Sequence, residues 1–184
     1  YAVCFVEFRN SAQGKLPAPL IDAKTAIRFL RANAVRYSLD PNRIGVAGRS
    51  AGGMIVSMLG LNDGRFLSEE WKDYSSDVQA VWDLFGLTDL ALHSKKEIDS
   101  YRNGTADTSR WKRAKDTHIG AVLGGDVATM PQRAQEFTAQ TAVHDGMPPF
   151  LIMHGDADPA IPYADSIAFH DAIAAKQGND VELY

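Results

Sequence analysis

The chain has 184 residues, 45% of them hydrophobic, and a net charge of −4, enough for one globular domain with a substantial core. Acidic and basic residues are mixed along it rather than gathered in blocks, which disfavours a surface for nucleic acid or anionic membrane. No window reaches the ~20 consecutive apolar residues of a membrane span, and the single cysteine, Cys4, excludes an intramolecular disulfide.

The opening run Tyr1 to Phe8 is apolar, rich in β-branched and aromatic residues and without clear alternation, so it predicts a strand buried on both faces of a parallel sheet, with Cys4 a small buried thiol. The chain has no initiator Met and begins directly in this run, so its natural amino terminus is expected upstream, and the compartment, cytoplasmic or secreted, stays open. From Pro19 to Tyr37 the residues Leu20, Ala23, Ile27, Leu30 and Ala34 recur at steps of three and four, which predicts an amphipathic crossover helix with Lys24, Arg28 and Arg31 off the apolar stripe.

Asp40-Pro41-Asn42 predicts a turn, and Arg43 to Ala47 a short central strand completing a βαβ unit. After Ser50 small residues give way to bulky apolar ones up to Leu59, as in a helix that starts tight against a sheet. Val78–Phe85 and Pro149–His154 read as further strands, Ala164–Lys176 as a helix, and Val181–Tyr184 as the start of another strand. Between about Leu90 and Gly146 the chain turns polar, with Lys95-Lys96-Glu97, Arg110-Trp111-Lys112-Arg113 and Gln132-Arg133. This stretch is expected to form solvated helices and loops, an insertion walling the strand ends where ligands bind in α/β sheets.

Gly48-Arg49-Ser50-Ala51-Gly52 has the G-x-S-x-G pattern between a predicted strand and a predicted helix, the context of a nucleophile elbow. A serine on so sharp a turn has a strained backbone, so Gly48 and Gly52 are expected to be glycine to avoid collision. The turn would expose the Ser50 hydroxyl at a helix amino terminus and leave the Ala51 amide free to donate to an oxyanion. His154-Gly155-Asp156-Ala157-Asp158-Pro159 follows a later strand and supplies the acid that a Ser, acid, His chain order requires. Spacing leaves Asp156 and Asp158 both open. His154 is expected to be structural, and no pair among the five histidines has zinc spacing; Asp156-x-Asp158 lacks the Asp-Gly that continues a calcium loop. Neither cofactor nor metal is expected.

The stretches Leu39 to Gly53 and Pro148 to Asp158, with Phe8-Arg9, Pro17-Ala18-Pro19, Asp22, Arg28 to Ala34 and Gly86-Leu87-Thr88-Asp89, resemble the bacterial esterase branch of the α/β-hydrolases that includes feruloyl and acetyl-xylan esterases. The resemblance spans nearly the whole chain and is weakest from Leu92 to Asp145. It implies an α/β-hydrolase fold, a mostly parallel doubly wound sheet with flanking helices. It further implies a carboxylic ester hydrolase acting through a Ser-His-Asp triad and an acyl-enzyme, with small-molecule esters or acylated carbohydrate as substrate. By position it makes Ser50 the nucleophile, Ala51 an oxyanion-hole donor and Asp158 the triad acid, with Asp156 a loop residue. Arg49 stands where relatives usually have an acid, Leu87 where a proline is common, and Thr141-Ala142 where Ser-Pro often sits; these departures bear on substrate preference rather than fold.

The same resemblance places a second oxyanion donor upstream of Tyr1 and the catalytic histidine after the strand that begins at Val181, beyond Tyr184. The chain is therefore expected to be a single α/β-hydrolase domain, 1–184, cut at both ends. Two other readings share its motifs. One is a prolyl-oligopeptidase-like serine peptidase, distinguished by a propeller domain upstream. The other is a catalytically dead binding module on the same fold. Acyl and alcohol specificity and oligomeric state are not written in any motif.

Overall fold

Four short strands and the helices between them organise the computed structural model, which describes residues 1–104, 117–126 and 129–184. The basic run Arg110 to Arg113 lies outside the described residues. In chain order the elements are α1 (Ala18–Ala32), β1 (Gly45–Arg49), α2 (Ala51–Gly60), β2 (Ala80–Leu84), α3 (Leu90–Arg102), α4 (His118–Leu123), α5 (Pro131–Glu136), a 3₁₀ turn Ala139–Ala142, β3 (Phe150–Met153), α6 (Tyr163–Ala174) and β4 (Val181–Leu183). The strands pair in parallel in the order β1-β2-β3-β4. A parallel sheet with flanking helices is the α/β architecture expected.

Right-handed crossovers between strands added in one direction put their helices on one side, and burial follows that rule. Val81, Asp83, Phe150 and Ile152 point under the helices and are buried, whereas Ala47 and Glu182 on the other face are exposed and Trp82 is 42% exposed. The second helix layer of a doubly wound sheet is not among the described residues. The core is built from Ile55, Met58 and Leu59 of α2, Phe169 and Ile173 of α6, and the Phe150 ring, which meets Phe169 edge to face at 5.6 Å.

Several expectations are corrected. Tyr1 to Phe8 forms no strand, Tyr1, Val3 and Phe5 are exposed, and so is Cys4. An extended segment becomes a strand only when a neighbour takes its N–H and C=O groups, and among the described residues no backbone hydrogen bond engages residues 1–8. Helix α1 begins as predicted, with Pro19 in its first turn, but stops at Ala32. There Asn33 caps the helix, its amide and its side chain both donating to the Phe29 carbonyl, at 3.0 and 2.9 Å.

Lys24 and Arg28 are buried rather than solvated, because the segment after α2 folds across that side of α1. Lys24 Nζ donates to the Arg65 carbonyl at 2.7 Å beside Asp63, and Arg28 donates to the Ser68 carbonyl at 2.9 Å, their stems packed in the core. Strand β1 starts two residues later than predicted, since the Ile44 amide is taken by the Gln79 side chain at 2.9 Å before the ladder begins. The insertion is not merely a solvated wall either. Leu90, Ile119, Leu123, Ala134, Phe137 and Ala139 are buried in the core, and α3 reaches α6 through a buried pair, His93 with Asp165.

Candidate active site

Strand β1 ends at Arg49 and α2 starts at Ala51, so a single residue, Ser50, makes the whole turn. Its backbone stands at φ 54, ψ −120, outside the regions side-chain-bearing residues prefer. Such a conformation persists only when neighbours impose it. The Ser50 N–H donates to the Leu84 carbonyl of β2 at 3.0 Å, and the Ser50 carbonyl accepts from the Met54 amide at 3.0 Å, opening α2. Ser50 itself is exposed. Ala51, the first residue of α2, carries one of the helix's amino-terminal N–H groups, which have no acceptor within the helix.

The steric demand for glycine is differently placed than expected. A Cβ on Gly48 would run into the Gly52 carbonyl oxygen, so Gly48 is required. At Gly52 a Cβ meets nothing within 4 Å, and the second constraint falls instead on Gly53, where a Cβ would lie 2.5 Å from Asp83 Oδ1 and 2.6 Å from Gly86 Cα. The reading of the pentapeptide missed Gly53 because its obstacle belongs to another strand.

The acid loop leaves β3, two strands away from β1 and at the same, carboxyl, edge of the parallel sheet. With strands about 4.8 Å apart, roughly 10 Å separates the two strand ends. Asp158 Oδ1 accepts from the amides of Ala160 at 2.7 Å and Ile161 at 3.0 Å, and its Oδ2 lies 3.5 Å from His154 Nε2. Those two amides, Ile161 before Ala160, hold the Asp158 carboxyl below the usual range and keep it ionised. Asp156 is exposed.

His154 has both ring nitrogens occupied. Nε2 donates to the Ile161 carbonyl at 2.9 Å, which leaves Nδ1 to accept from the Ser166 hydroxyl at 2.7 Å. The ring is buried between Phe85 and Tyr163, each met edge to face, at 6.3 and 5.8 Å. It braces the acid loop on α6. The other histidines are engaged away from Ser50: His93 with Asp165, His144 with the Leu61 and Asp145 carbonyls, His170 with Asp171, while His118 opens α4.

One group between the two loops had no role in the sequence reading. Asp83, in β2, is completely buried, with Oδ2 accepting from Ser57 Oγ at 2.9 Å and Oδ1 from the Gly86 amide at 2.8 Å. Burial pushes its carboxyl above the ordinary value, and the Ser57 and Gly86 bonds only partly offset that. A charged residue inside an apolar strand was the available signal. Among the described residues no three His, Cys, Asp or Glu side chains are grouped as a metal site would require.

The sequence model of the BD-FAE family matches residues 1–173. Esterase LipC of Mycobacterium tuberculosis is 28% identical over 182 residues, which cover 97% of this chain and 42% of that protein. The isoprenylcysteine alpha-carbonyl methylesterase ICME of Arabidopsis thaliana is 26% identical over 186 residues, 94% of this chain and 39% of that one. Among solved structures, a bifunctional GH43-CE protein of Bacteroides eggerthii superposes with a TM-score of 0.79 at 29% identity, over 97% of this chain and 23% of the other. A truncated carbohydrate esterase from gut microbiota gives a TM-score of 0.75 at 27% identity, over 96% and 64%. The chain spans between 22% and 42% of the length of the curated relatives it matches.

Proposed function

The chain belongs to the BD-FAE family, and from that premise we propose that the polypeptide carrying it hydrolyses carboxylic esters with Ser50 as nucleophile. The observation that carries this reading is the strained, exposed Ser50 at φ 54, ψ −120, held between β1 and α2. A serine that needed no exposure could occupy a relaxed turn.

In the proposed reaction Ser50 Oγ attacks the ester carbonyl carbon and gives its proton to a histidine base contributed by sequence outside these 184 residues. His93, His144, His154 and His170 are already engaged elsewhere. The Ala51 amide, at the positive end of α2, is one donor to the tetrahedral oxyanion. Asp158, already ionised and pinned by two loop amides, accepts the histidine's Nδ1 proton in a hydrogen bond and stabilises the imidazolium. Collapse expels the alcohol, which takes the imidazolium proton, and water then attacks the acyl-enzyme by the same route in reverse. Esters of short acyl or feruloyl groups on carbohydrate are the proposed substrates. The family match supports this choice, as do two structural neighbours, a carbohydrate esterase and an acetyl ester-xyloside bifunctional hydrolase.

The test is turnover of p-nitrophenyl acetate and of acetylated xylo-oligosaccharide by the whole polypeptide and its Ser50→Ala variant. Removing a triad nucleophile should lower kcat by about 10⁶-fold. Turnover at the wild-type rate in Ser50→Ala would end this reading.

A further inference from the structure

The end of β2 grips the nucleophile turn from behind at several points, and they converge on one side chain. Asp83 stands opposite Gly48 in the β1–β2 register, two residues before Ser50. Its neighbour Leu84 supplies the carbonyl that accepts the Ser50 N–H. Its Oδ2 takes the hydroxyl proton of Ser57, which lies one helical turn beyond Gly53 along α2. Its Oδ1 takes the Gly86 amide, closing a second turn in which Phe85 also has a positive φ, 44.

The two turns touch through glycines. A Cβ on Gly86 would lie 2.6 Å from the Gly53 carbonyl carbon and 2.5 Å from Asp83 Oδ1, just as a Cβ on Gly53 would strike Gly86 and the same oxygen. Two strained turns, Ser50 and Phe85, are thus packed glycine to glycine with one carboxyl group between them. Asp83 is completely buried and touches no part of the open edge where substrate would lie. A buried polar group costs stability unless its bonds are made, and these two bonds go to the helix and the turn that frame Ser50.

We infer that Asp83 is a positioning residue for the hydrolysis proposed above: its carboxyl locks α2 to the Phe85–Gly86 turn and so fixes where the Ser50 hydroxyl stands. The inference rests on Ser50 being the nucleophile. It predicts that loosening the lock slows the attack of Ser50 without weakening substrate binding, since a displacement of about 1 Å in a reacting group costs on the order of 10²-fold in rate.

Three variants of the whole polypeptide test it, Asp83→Leu, Asp83→Asn and Ser57→Ala. The readouts are kcat and KM on p-nitrophenyl acetate, the rate at which a fluorophosphonate labels Ser50, read by peptide mass spectrometry, and the thermal unfolding midpoint. Asp83→Leu keeps the bulk and loses both acceptors; kcat and the labelling rate should fall together by about 10²-fold while KM stays within about twofold. Asp83→Asn keeps the acceptor for Gly86, and Ser57 can turn its hydroxyl to accept from the amide, so both rates should return to within about tenfold of wild type. Ser57→Ala removes one bond and should cost about fivefold.

A labelling rate unchanged in folded Asp83→Leu overturns the inference, as does a loss confined to stability or to KM. Should Asp83→Leu not fold, wild-type labelling in Ser57→Ala overturns it equally, because that variant fills its site with a similar apolar group. A wild-type polypeptide that neither cleaves esters nor takes the label overturns the functional reading and this inference with it. An active wild type with indifferent variants overturns the inference alone.

Discussion

The elbow at Ser50 and the loop carrying Asp158 sit at the same edge of the sheet and are held by opposite means. The elbow is shaped by atoms that are missing: Gly48, Gly53 and Gly86 let backbones approach to distances no Cβ allows, and Ser50 stands exposed on a strained backbone. The acid loop is shaped by groups that are present, with two amides on Asp158 and a buried imidazole, His154, strung between Ile161 and Ser166. A turn defined by exclusion tolerates almost no addition, whereas a loop defined by hydrogen bonds tolerates additions and fails when a partner is removed.

Between the two sites' supports, the larger effect should come from removing a partner. Asp158→Asn is expected to lower kcat of the whole polypeptide by about 10³–10⁴, the loss seen when a triad histidine is left in the wrong tautomer, and Asp156→Asn by about tenfold or less. Steady-state kinetics in which Asp156→Asn is the crippled variant would reverse the assignment of the acid.

Adding a single carbon tests the other side. Gly48→Ala must push the Gly52 carbonyl away, and the resulting shift of Ser50 should cost about 10²-fold in kcat, while Gly52→Ala, with open space around it, should stay within about twofold. Equal losses in the two alanine variants would mean that the elbow owes its shape to something other than contact between Gly48 and Gly52.

The smallest effect is a difference in pH dependence. Asp158 has a folded pKa below its unfolded one, so its contribution to stability is present above the ordinary carboxylate range and disappears as pH falls through the folded value. For Asp83 the folded pKa is raised, so its contribution is complete below the unfolded pKa and is lost as pH rises through the folded value. Unfolding midpoints measured against pH should therefore show Asp158→Asn less stable than wild type at neutral pH, the gap closing in acid. Asp83→Asn should gain on wild type as pH rises. Parallel curves for the two variants would show that the two acids do not differ in the way their surroundings require.

What could be read from the sequence follows the same division. Gly48, Ser50 and the flanking strand and helix were legible because the steric need is local and falls on neighbouring residues. The need for glycine at Gly53 was hidden, since Asp83 and Gly86 come from a different stretch of chain. Asp158 was preferred to Asp156 by family resemblance alone, because amides two and three residues away leave no mark on composition. The burial of Lys24 and Arg28, which lie off the apolar stripe, was hidden for a related reason: the carbonyls that receive them, on Arg65 and Ser68, carry no signature in side-chain identity. The opening run failed differently. Its residues have every preference of a strand, but preference does not supply the neighbouring backbone that a ladder needs.

The sheet order β1-β2-β3-β4 is also the order of the strands along the chain. During synthesis each strand would leave the ribosome to find its docking edge already formed by the strand before it, so assembly can run in the direction of translation without waiting for a later partner. The closures are unequal, however. β1 meets β2 after one helix and a loop, whereas β3 must wait for the whole insertion from α3 to the 3₁₀ turn, and loop closure over that distance is the slower search. Until β3 arrives, the edge of β2 that will receive it, at Val81 and Asp83, is left without its strand neighbour, an open hydrogen-bonding edge.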